Sequence, residues 1–460
     1  MTIYLPDIER RPGPKYRAIA DAIADDISAG RLAPDSRLPP QRDMAWHLGV
    51  TVGTVGRAYA EVAERGLVHG EVGRGTYVSA PLTAPPEAAG GTIPGFIDLT
   101  RNAPTLGPQA PALQTALARL AAAPGAMALL DYQDAVGPAA HRQMCSDWLE
   151  RRGLSVPPER ILVCGGAQHG LALTLAALSR PGDAVLTEAL CYAQFRDLAR
   201  VEGRDCVAVA LDDEGMMPDA LEAAAQRSGA RLCYVVPTLQ NPTNAVMSAA
   251  RRQAIVEVAR RNHLIIIEDE VYGYLIEEAP PPLATLAPER TIHVTSLSKA
   301  LAPGLRFGWI AAPLAQMPAL ADVQRVTHVA QPMLMGSLAQ LWCENGSAAR
   351  LLDWQRDEAR ARHDLAVERL AAYRLRAHPA SFHLLLETPA PWNGDSLAAA
   401  ARRAGVAILP ASLFATGPGE GENAVRLSLS QPRDRRELVA ALDALCDVLA
   451  RGPQHGQAII

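Results

Sequence analysis

Thr295-Ser296-Leu297-Ser298-Lys299-Ala300-Leu301-Ala302-Pro303-Gly304-Leu305-Arg306 holds one of the two lysines in a chain of 460 residues; the other is Lys15. With 44 lysines and arginines in all, the chain has met nearly every need for a cation with arginine, so Lys299 marks a task arginine cannot perform. A guanidinium stays protonated and forms no imine, whereas a lysine amine that loses its proton in a dry pocket attacks an aldehyde. The chemistry that most needs such an amine is a Schiff base to pyridoxal 5'-phosphate. The flanking residues suit it. Ile292 and Val294 read as a buried strand, the serines and Gly304 as a polar turn offering hydroxyls and N–H groups to a phosphate, and Arg306 as a bidentate cation for the same dianion. On these residues alone, a surface lysine beside a turn is the competing reading.

A length of 460 residues exceeds one ordinary core and predicts two or three domains. A hydrophobic content of 49% against 20% charged describes a folded chain, not a disordered one. No apolar run reaches membrane-spanning length without a charge, and Met1 to Arg11 carries acids and no apolar signal core, so a cytoplasmic protein with no membrane partner is expected. The seven cysteines are odd in number and contain no Cys-x-x-Cys pair; they read as small buried residues in a reducing compartment, with no metal site. Neither lysine stands in the Gly-Lys-Ser/Thr context of a Walker A loop, which excludes that phosphate motif.

In the first eighty residues, Ile19, Ala20, Ile23, Ala24 and Ile27 recur at helical spacing from Tyr16 to Ile27, with Gly30 as a stop. Leu38 to Val50 holds a second, short helix ending at a glycine turn. Thr51 to Arg65 is a third, with Val55, Ala58, Tyr59 and Val62 turned inward. Leu67 to His69 and Gly75 to Val78 alternate as two strands joined by the turn from Gly70 to Gly75. Three short helices followed by a hairpin describe a winged helix-turn-helix. The segment resembles the DNA-binding domain of the GntR superfamily of bacterial regulators, through Leu-Pro-x-x-Arg at 38 to 42, Leu-Gly-Val at 48 to 50, Thr-Val-x-Arg-Ala-Tyr at 54 to 59 and Gly-Arg-Gly-Thr at 73 to 76. That resemblance implies that Arg42, Thr51, Thr54, Arg57 and Arg74 meet a double-stranded DNA operator. Residues 1–80 carry ten basic and ten acidic side chains, so sparse base readout, with affinity leaning on dimerisation, is expected. A winged helix used for protein contact is the alternative.

Beyond a Pro-, Ala- and Gly-rich linker, apolar strand-like runs alternate with amphipathic helices: Arg160 to Cys164, Ala184 to Thr187, Cys206 to Ala210, Leu232 to Pro237, Leu264 to Glu268, Ile292 to Ser296 and Phe307 to Ala311, with a helix from Leu171 to Ser179. This rhythm predicts an α/β domain with a mainly parallel central sheet, whose ligands sit at the carboxyl ends of the strands. Unusual polar residues fall at those ends. Gly165 to Gln168 offers free N–H groups at a helix start, or is only a glycine-rich turn. Asp269 emerges from a buried strand and needs a partner such as a pyridinium N–H, or else caps a helix. Glu268, Glu270 and His169 read as structural neighbours.

In this order the sites resemble fold-type I pyridoxal-phosphate enzymes of the class I aminotransferase kind, over residues 97 to 450. The resemblance implies that Lys299 is the imine lysine. Asp269 is the partner of the ring nitrogen, and Asn241 and Tyr272 bond the ring's phenolic oxygen. Tyr192 stacks on the ring; Gly166, Ala167, Gln168, Ser296, Ser298 and Arg306 bind the phosphate. Tyr132, in a block with Gly137 and Arg142, reaches the phosphate of a neighbouring subunit, and Arg426 forks onto a substrate carboxylate. Asn244 stands where that family usually has glycine.

A winged helix of this kind ahead of such a domain is similar to the MocR branch of the GntR superfamily. The expected boundaries are 12–79 for the winged helix, 80–95 for the linker and 96–455 for the aminotransferase-like domain. The expected protein is a regulator that senses pyridoxal phosphate, or an amine or amino-acid effector reacting with it, through a head-to-tail homodimer. A working aminotransferase with an auxiliary DNA-binding domain is the rival.

Overall fold

Strands form where the sequence runs apolar for four to six residues, and helices form where it turns amphipathic. The computed structural model describes residues 4–8, 11–71, 75–79, 96–329 and 331–452. The chain divides into two units, 1–92 and 93–460. The expected linker at 80–95 lies outside the described residues, as does the end of the second expected domain beyond 452.

In the first unit, α1 (Lys15–Ser28), α2 (Gln41–Leu48) and α3 (Val52–Glu64) precede an antiparallel hairpin of β1 (Val68–Glu71) and β2 (Gly75–Val78). Ile19, Ile23, Leu38, Met44, Val55, Ala58, Val62, Val68 and Val78 make one core. Two local devices fix the turn between α2 and α3. Gly49 ends α2 in the left-handed region at φ +61°, and the Thr51 hydroxyl accepts from the Thr54 N–H to cap α3.

In the second unit the seven expected strands form one sheet: β3 (Ile161–Cys164), β4 (Ala184–Glu188), β5 (Asp205–Val209), β6 (Leu232–Val235), β7 (Ile265–Asp269), β8 (Thr291–Ser296) and β9 (Gly308–Ala311), in the order β3-β9-β8-β7-β6-β4-β5. Every residue of β3, β6, β8 and β9 is buried, as both faces of a covered parallel sheet require. Only β9 runs antiparallel to its neighbours, β8 and β3. Helix α4 (Ala167–Leu178) begins four residues before the expected Leu171, because Gly166, at φ +89°, makes the entry turn immediately after β3.

A second core lies in a four-stranded antiparallel sheet of β10 (Leu375–Arg376), β11 (His383–Glu387), β12 (Leu409–Pro410) and β13 (Ala424–Ser428), covered by α5 (Gly394–Arg403) and α6 (Arg435–Arg451). Ile97–Asp98 pairs in parallel with Val406–Ala407, which brings residues 100 to 103 back over the large sheet's strand ends. Asn244, at φ +63°, clamps the two sheets together by donating its amide to the carbonyls of Arg376 and His383, at 3.1 and 3.0 Å. Asparagine tolerates the left-handed backbone here and adds two bonds that glycine cannot make.

The four cysteines at 145, 164, 191 and 233 are buried and the other three are half-buried, all as free thiols. Among the described residues no helix is long and apolar enough to cross a membrane.

Gly308 sits where β9 meets β8, and a Cβ there would lie 2.7 Å from the Thr295 carbonyl oxygen and 2.8 Å from Gly166 Cα. Both are backbone, so neither can swing away. Gly308→Ala is expected to destabilise the second unit by about 1–3 kcal/mol, as overpacking does, read as a lower urea midpoint at unchanged slope.

Candidate functional site

The carboxyl ends of β7 and β8 meet residues 100 to 103 and β13 around a cavity of about 560 Å³. Eleven of the residues read from the sequence line it: Lys299, Asp269, Tyr272, Asn241, Tyr192, Ala167, Gln168, Ser296, Ser298, Arg306 and Arg426. Gly166 is at its edge, where a Cβ would touch the Arg306 guanidinium at 3.0 Å. That guanidinium donates to the Gly165 carbonyl at 3.0 Å, so a cation and a helix start stand side by side. Tyr132 does not line the cavity; it is 85% exposed.

Asp269 is the last residue of β7 and is buried. Its Oδ2 accepts from the Tyr234 hydroxyl at 2.9 Å, while Oδ1 has no partner. Burial pushes its pKa up to about 6 and the Tyr234 bond opposes that rise, so the carboxylate is ionised at neutral pH. Tyr234 is itself buried and stacked on Phe195 at 3.7 Å.

Lys299 lies in the short helical turn after β8, half-buried, its amine donating to the Asn102 carbonyl. Burial first, and then the Arg426 charge, bring its pKa down to about 8. At pH 7 roughly one amine in ten is therefore uncharged, far more than for a solvated lysine.

Arg426, in the middle of β13, is buried. It donates to Asn241 Oδ1 at 3.4 Å and to the Thr100 carbonyl, and its guanidinium lies 5.2 Å from the Phe414 ring centre. Burial lowers its pKa to about 10, which leaves it charged. Asn102 donates its amide to the Tyr272 hydroxyl at 2.9 Å, leaving the Tyr272 proton free to donate elsewhere. Among the described residues, five buried polar atoms of the side chains that line this cavity have no protein partner: Asn102 Oδ1, Asp269 Oδ1, Ser298 Oγ, Gln168 Oε1 and Arg426 Nε. Such groups are costly unless something arrives to satisfy them.

Asn102 and Tyr234 were not anticipated from the sequence. Asn102 carries no local signal. Tyr234 does carry one, since a phenol inside a fully apolar parallel strand requires a partner for its hydroxyl. The residues read as structural neighbours are heavily bonded. Glu268 accepts from the Leu283 and Ala284 N–H groups and pairs with His293; Glu270 pairs with Arg152 at 3.1 Å and Thr238 at 2.8 Å; His169 accepts from the Gly165 N–H at 3.0 Å.

In the first unit, Thr51 and Thr54 share a hydroxyl contact of 2.8 Å at the start of α3, and Arg42 is exposed beside α2's first turn. Arg57 is exposed with its guanidinium stacked 4.0 Å over the Tyr16 ring, so it leaves the surface of α3 in a fixed direction. Arg74 lies outside the described residues. Arg11, Arg31 and Arg65 are taken up by Asp25, Asp26, Asp21 and Glu61. Among the described residues, exposed Lys15, Arg37 and Arg42 have no ion pair, so equal numbers of acids and bases still leave basic surface.

With this geometry in hand, likeness to known proteins is informative. Residues 94–442 match the family described as aminotransferase class I and II, and residues 15–78 match the bacterial regulatory proteins of the gntR family. The uncharacterized HTH-type transcriptional regulator YisV of Bacillus subtilis is 30% identical over 78% of this chain and 80% of its own. The HTH-type transcriptional regulator TauR of Rhodobacter capsulatus is 29% identical over 91% and 93%. An archaeal alanine:glyoxylate aminotransferase of known crystal structure superposes with a TM-score of 0.72 at 27% identity, over 78% of this chain and 91% of that one.

The lowered proton affinity of Lys299 makes a kinetic prediction. Only the uncharged amine attacks an aldehyde, so the rate at which cofactor-free protein takes up pyridoxal phosphate should climb with pH and level off above about 8, where an ordinary lysine would still be climbing. Stopped-flow absorbance across pH 6 to pH 10 measures it; a profile that still climbs steeply beyond pH 9 contradicts it.

Proposed function

We propose, since this chain belongs to the MocR branch of the GntR regulators, a gntR-family winged helix joined to an aminotransferase class I and II domain, that its DNA binding answers to an amine or amino-acid effector, or to pyridoxal 5'-phosphate itself, at Lys299. Pyridoxal 5'-phosphate is the cofactor of this family, and when bound it supplies an aldehyde that exchanges between amines and a ring that draws electrons. The single observation that carries the reading is that a lysine amine of depressed basicity and a buried arginine line the same cavity, one suited to an amine-exchanging aldehyde and the other to a carboxylate. The unpartnered Asp269 Oδ1 fits the cofactor's protonated ring nitrogen and the unpartnered Ser298 hydroxyl fits its phosphate.

In this reading Lys299 would hold the cofactor through its amine, which burial and the Arg426 charge keep less basic than an ordinary lysine. Asp269, whose ionised form the Tyr234 hydroxyl favours, would hold a proton on the ring nitrogen. Asn241 and Tyr272 would serve the ring oxygen, Tyr192 would offer its ring face, and Ser296, Ser298, Arg306 and the N–H groups of Ala167 and Gln168, which follow the Gly166 turn, would take the phosphate; the Gly166 N–H itself donates to the Cys164 carbonyl at 2.8 Å. Arg426 forks onto the effector's carboxylate. In the winged helix, Arg42, Thr51, Thr54, Arg57 and Arg74 serve the operator.

A head-to-tail homodimer in the cytoplasm completes the proposal. It is supported by the run of exposed apolar residues from Leu106 through Leu113, Leu117, Met127 and Leu130 to Tyr132, a surface that a second copy would cover and that puts Tyr132 in reach of it. An effector that favours one dimer arrangement over another selects which operator half-sites the paired helices span.

Lys299→Ala is expected to abolish the cofactor's visible absorbance and any effector-dependent change in a gel shift with the DNA upstream of the chain's own gene. Effector-free DNA binding should stay within about threefold, well under 1 kcal/mol. Survival of both the absorbance and the response would mean the lysine is misassigned. The rival, a working aminotransferase, is favoured by the presence in one cavity of every group transamination needs. An amino acid and keto acid turnover assay separates the two: rapid multiple turnover without DNA binding overturns the regulator.

A further inference from the structure

We infer that the effector bears a second anionic group, beyond the carboxylate at Arg426, and that Arg101 receives it. The inference rests on the cavity being the cofactor and effector site.

Among the described residues, three arginines line the cavity, Arg101, Arg306 and Arg426, against one acid, Asp269. Each of the others has a counterpart in the proposed chemistry. Asp269 faces a protonated ring nitrogen. Arg306, beside the Gly166 turn and the two serines, faces a phosphate dianion. Arg426 faces one carboxylate. Arg101 alone has none.

Nor does the protein supply one. The Arg101 side chain makes no hydrogen bond or ion pair among the described residues, and it is exposed at the cavity mouth. Its placement is not incidental to the reacting amine, because its charge is among those that lower the basicity of Lys299. With Arg306 and Arg426 each matched to an anion, Arg101 is the cavity's remaining cation without a counter-charge, and an anion bound beside it supplies one. Leu409, Phe414 and Tyr192 wall the same space, so the anion would be partly shielded from water, where a charge-assisted bond is worth more than on an open surface. The ligand class that fits is a dicarboxylic amino acid, read by Arg101 as a specificity-determining residue. The second charge sets which amino compound is sensed, while the amine and first carboxylate set that one is sensed at all.

The test uses the full chain loaded with pyridoxal phosphate. L-Aspartate, L-glutamate and L-2-aminoadipate are titrated alongside L-asparagine and L-glutamine, with binding followed by calorimetry and by the change in cofactor absorbance. At least one diacid should bind about tenfold or more tighter than the amides, with an affinity that falls as salt is raised. Arg101→Gln should erase that preference while leaving amide binding within about twofold, and Arg101→Lys should keep part of it. Two results overturn the inference: no diacid preferred by the parent protein, or an Arg101→Gln variant that weakens diacids and amides alike. A loaded protein that binds amino acids without preferring diacids sinks the second anion alone. A protein that takes up no cofactor sinks the reading of the cavity, and this inference with it.

Discussion

Repulsion between like charges, held in a place that cannot relax, underlies the chemistry of the second unit. Lys299 shares a half-dry cavity with Arg426, Arg306 and Arg101, and a proton on its amine is disfavoured by both burial and its neighbours. Only a rigid frame can keep cations in such company. The frame is the seven-stranded sheet, where β7 and β8 end at Asp269 and Ser296 with their side chains buried on both faces. Arg426 comes from a different sheet and is held by its central position in β13, between β11 and β12.

Asp269 is the counterweight. It is one carboxylate against several cations, and it stays ionised through the Tyr234 hydroxyl despite its burial. The Tyr234 ring is pinned in turn by its stack on Phe195. A chain of contacts thus runs from the helix after β4, through β6, to the strand end where the acid sits. The Asn244 clamp does comparable work on the other side, fastening the loop that carries Asn241 to the strand region leading to Arg426.

Much of this frame was legible in the chain because buried parallel strands announce themselves as apolar runs, and because a lysine is conspicuous where arginine is the rule. The seven strands fell within a residue or two of their expected places. Polar residues at strand ends pointed to one site, and eleven of those named now line one cavity. What stayed hidden is tertiary. Asn102 meets Tyr272 across 170 positions, and no local pattern records that. Tyr234 looks like any strand-forming aromatic until its hydroxyl is asked for a partner. The start of α4 was misplaced because the apolar period begins at Leu171, whereas the backbone turns at Gly166. Arg57 was expected at the operator, and its stack on Tyr16, which no local pattern shows, depends on how α1 packs against α3.

The arithmetic of charge in the first unit concealed its geography. Four acids on α1 and α3 are neutralised by three arginines, which leaves Lys15, Arg17, Arg37, Arg42 and Arg57 without an ion pair among the described residues. Polyelectrolyte theory turns that remainder into behaviour on a chromosome, since each phosphate contacted liberates condensed counterions and each contact forgone liberates none. A head whose acids equal its bases in number would gain less from random sequence than a strongly basic one, and the few phosphates it could reach with unpaired cations would set how steeply its hold on DNA falls with ionic strength.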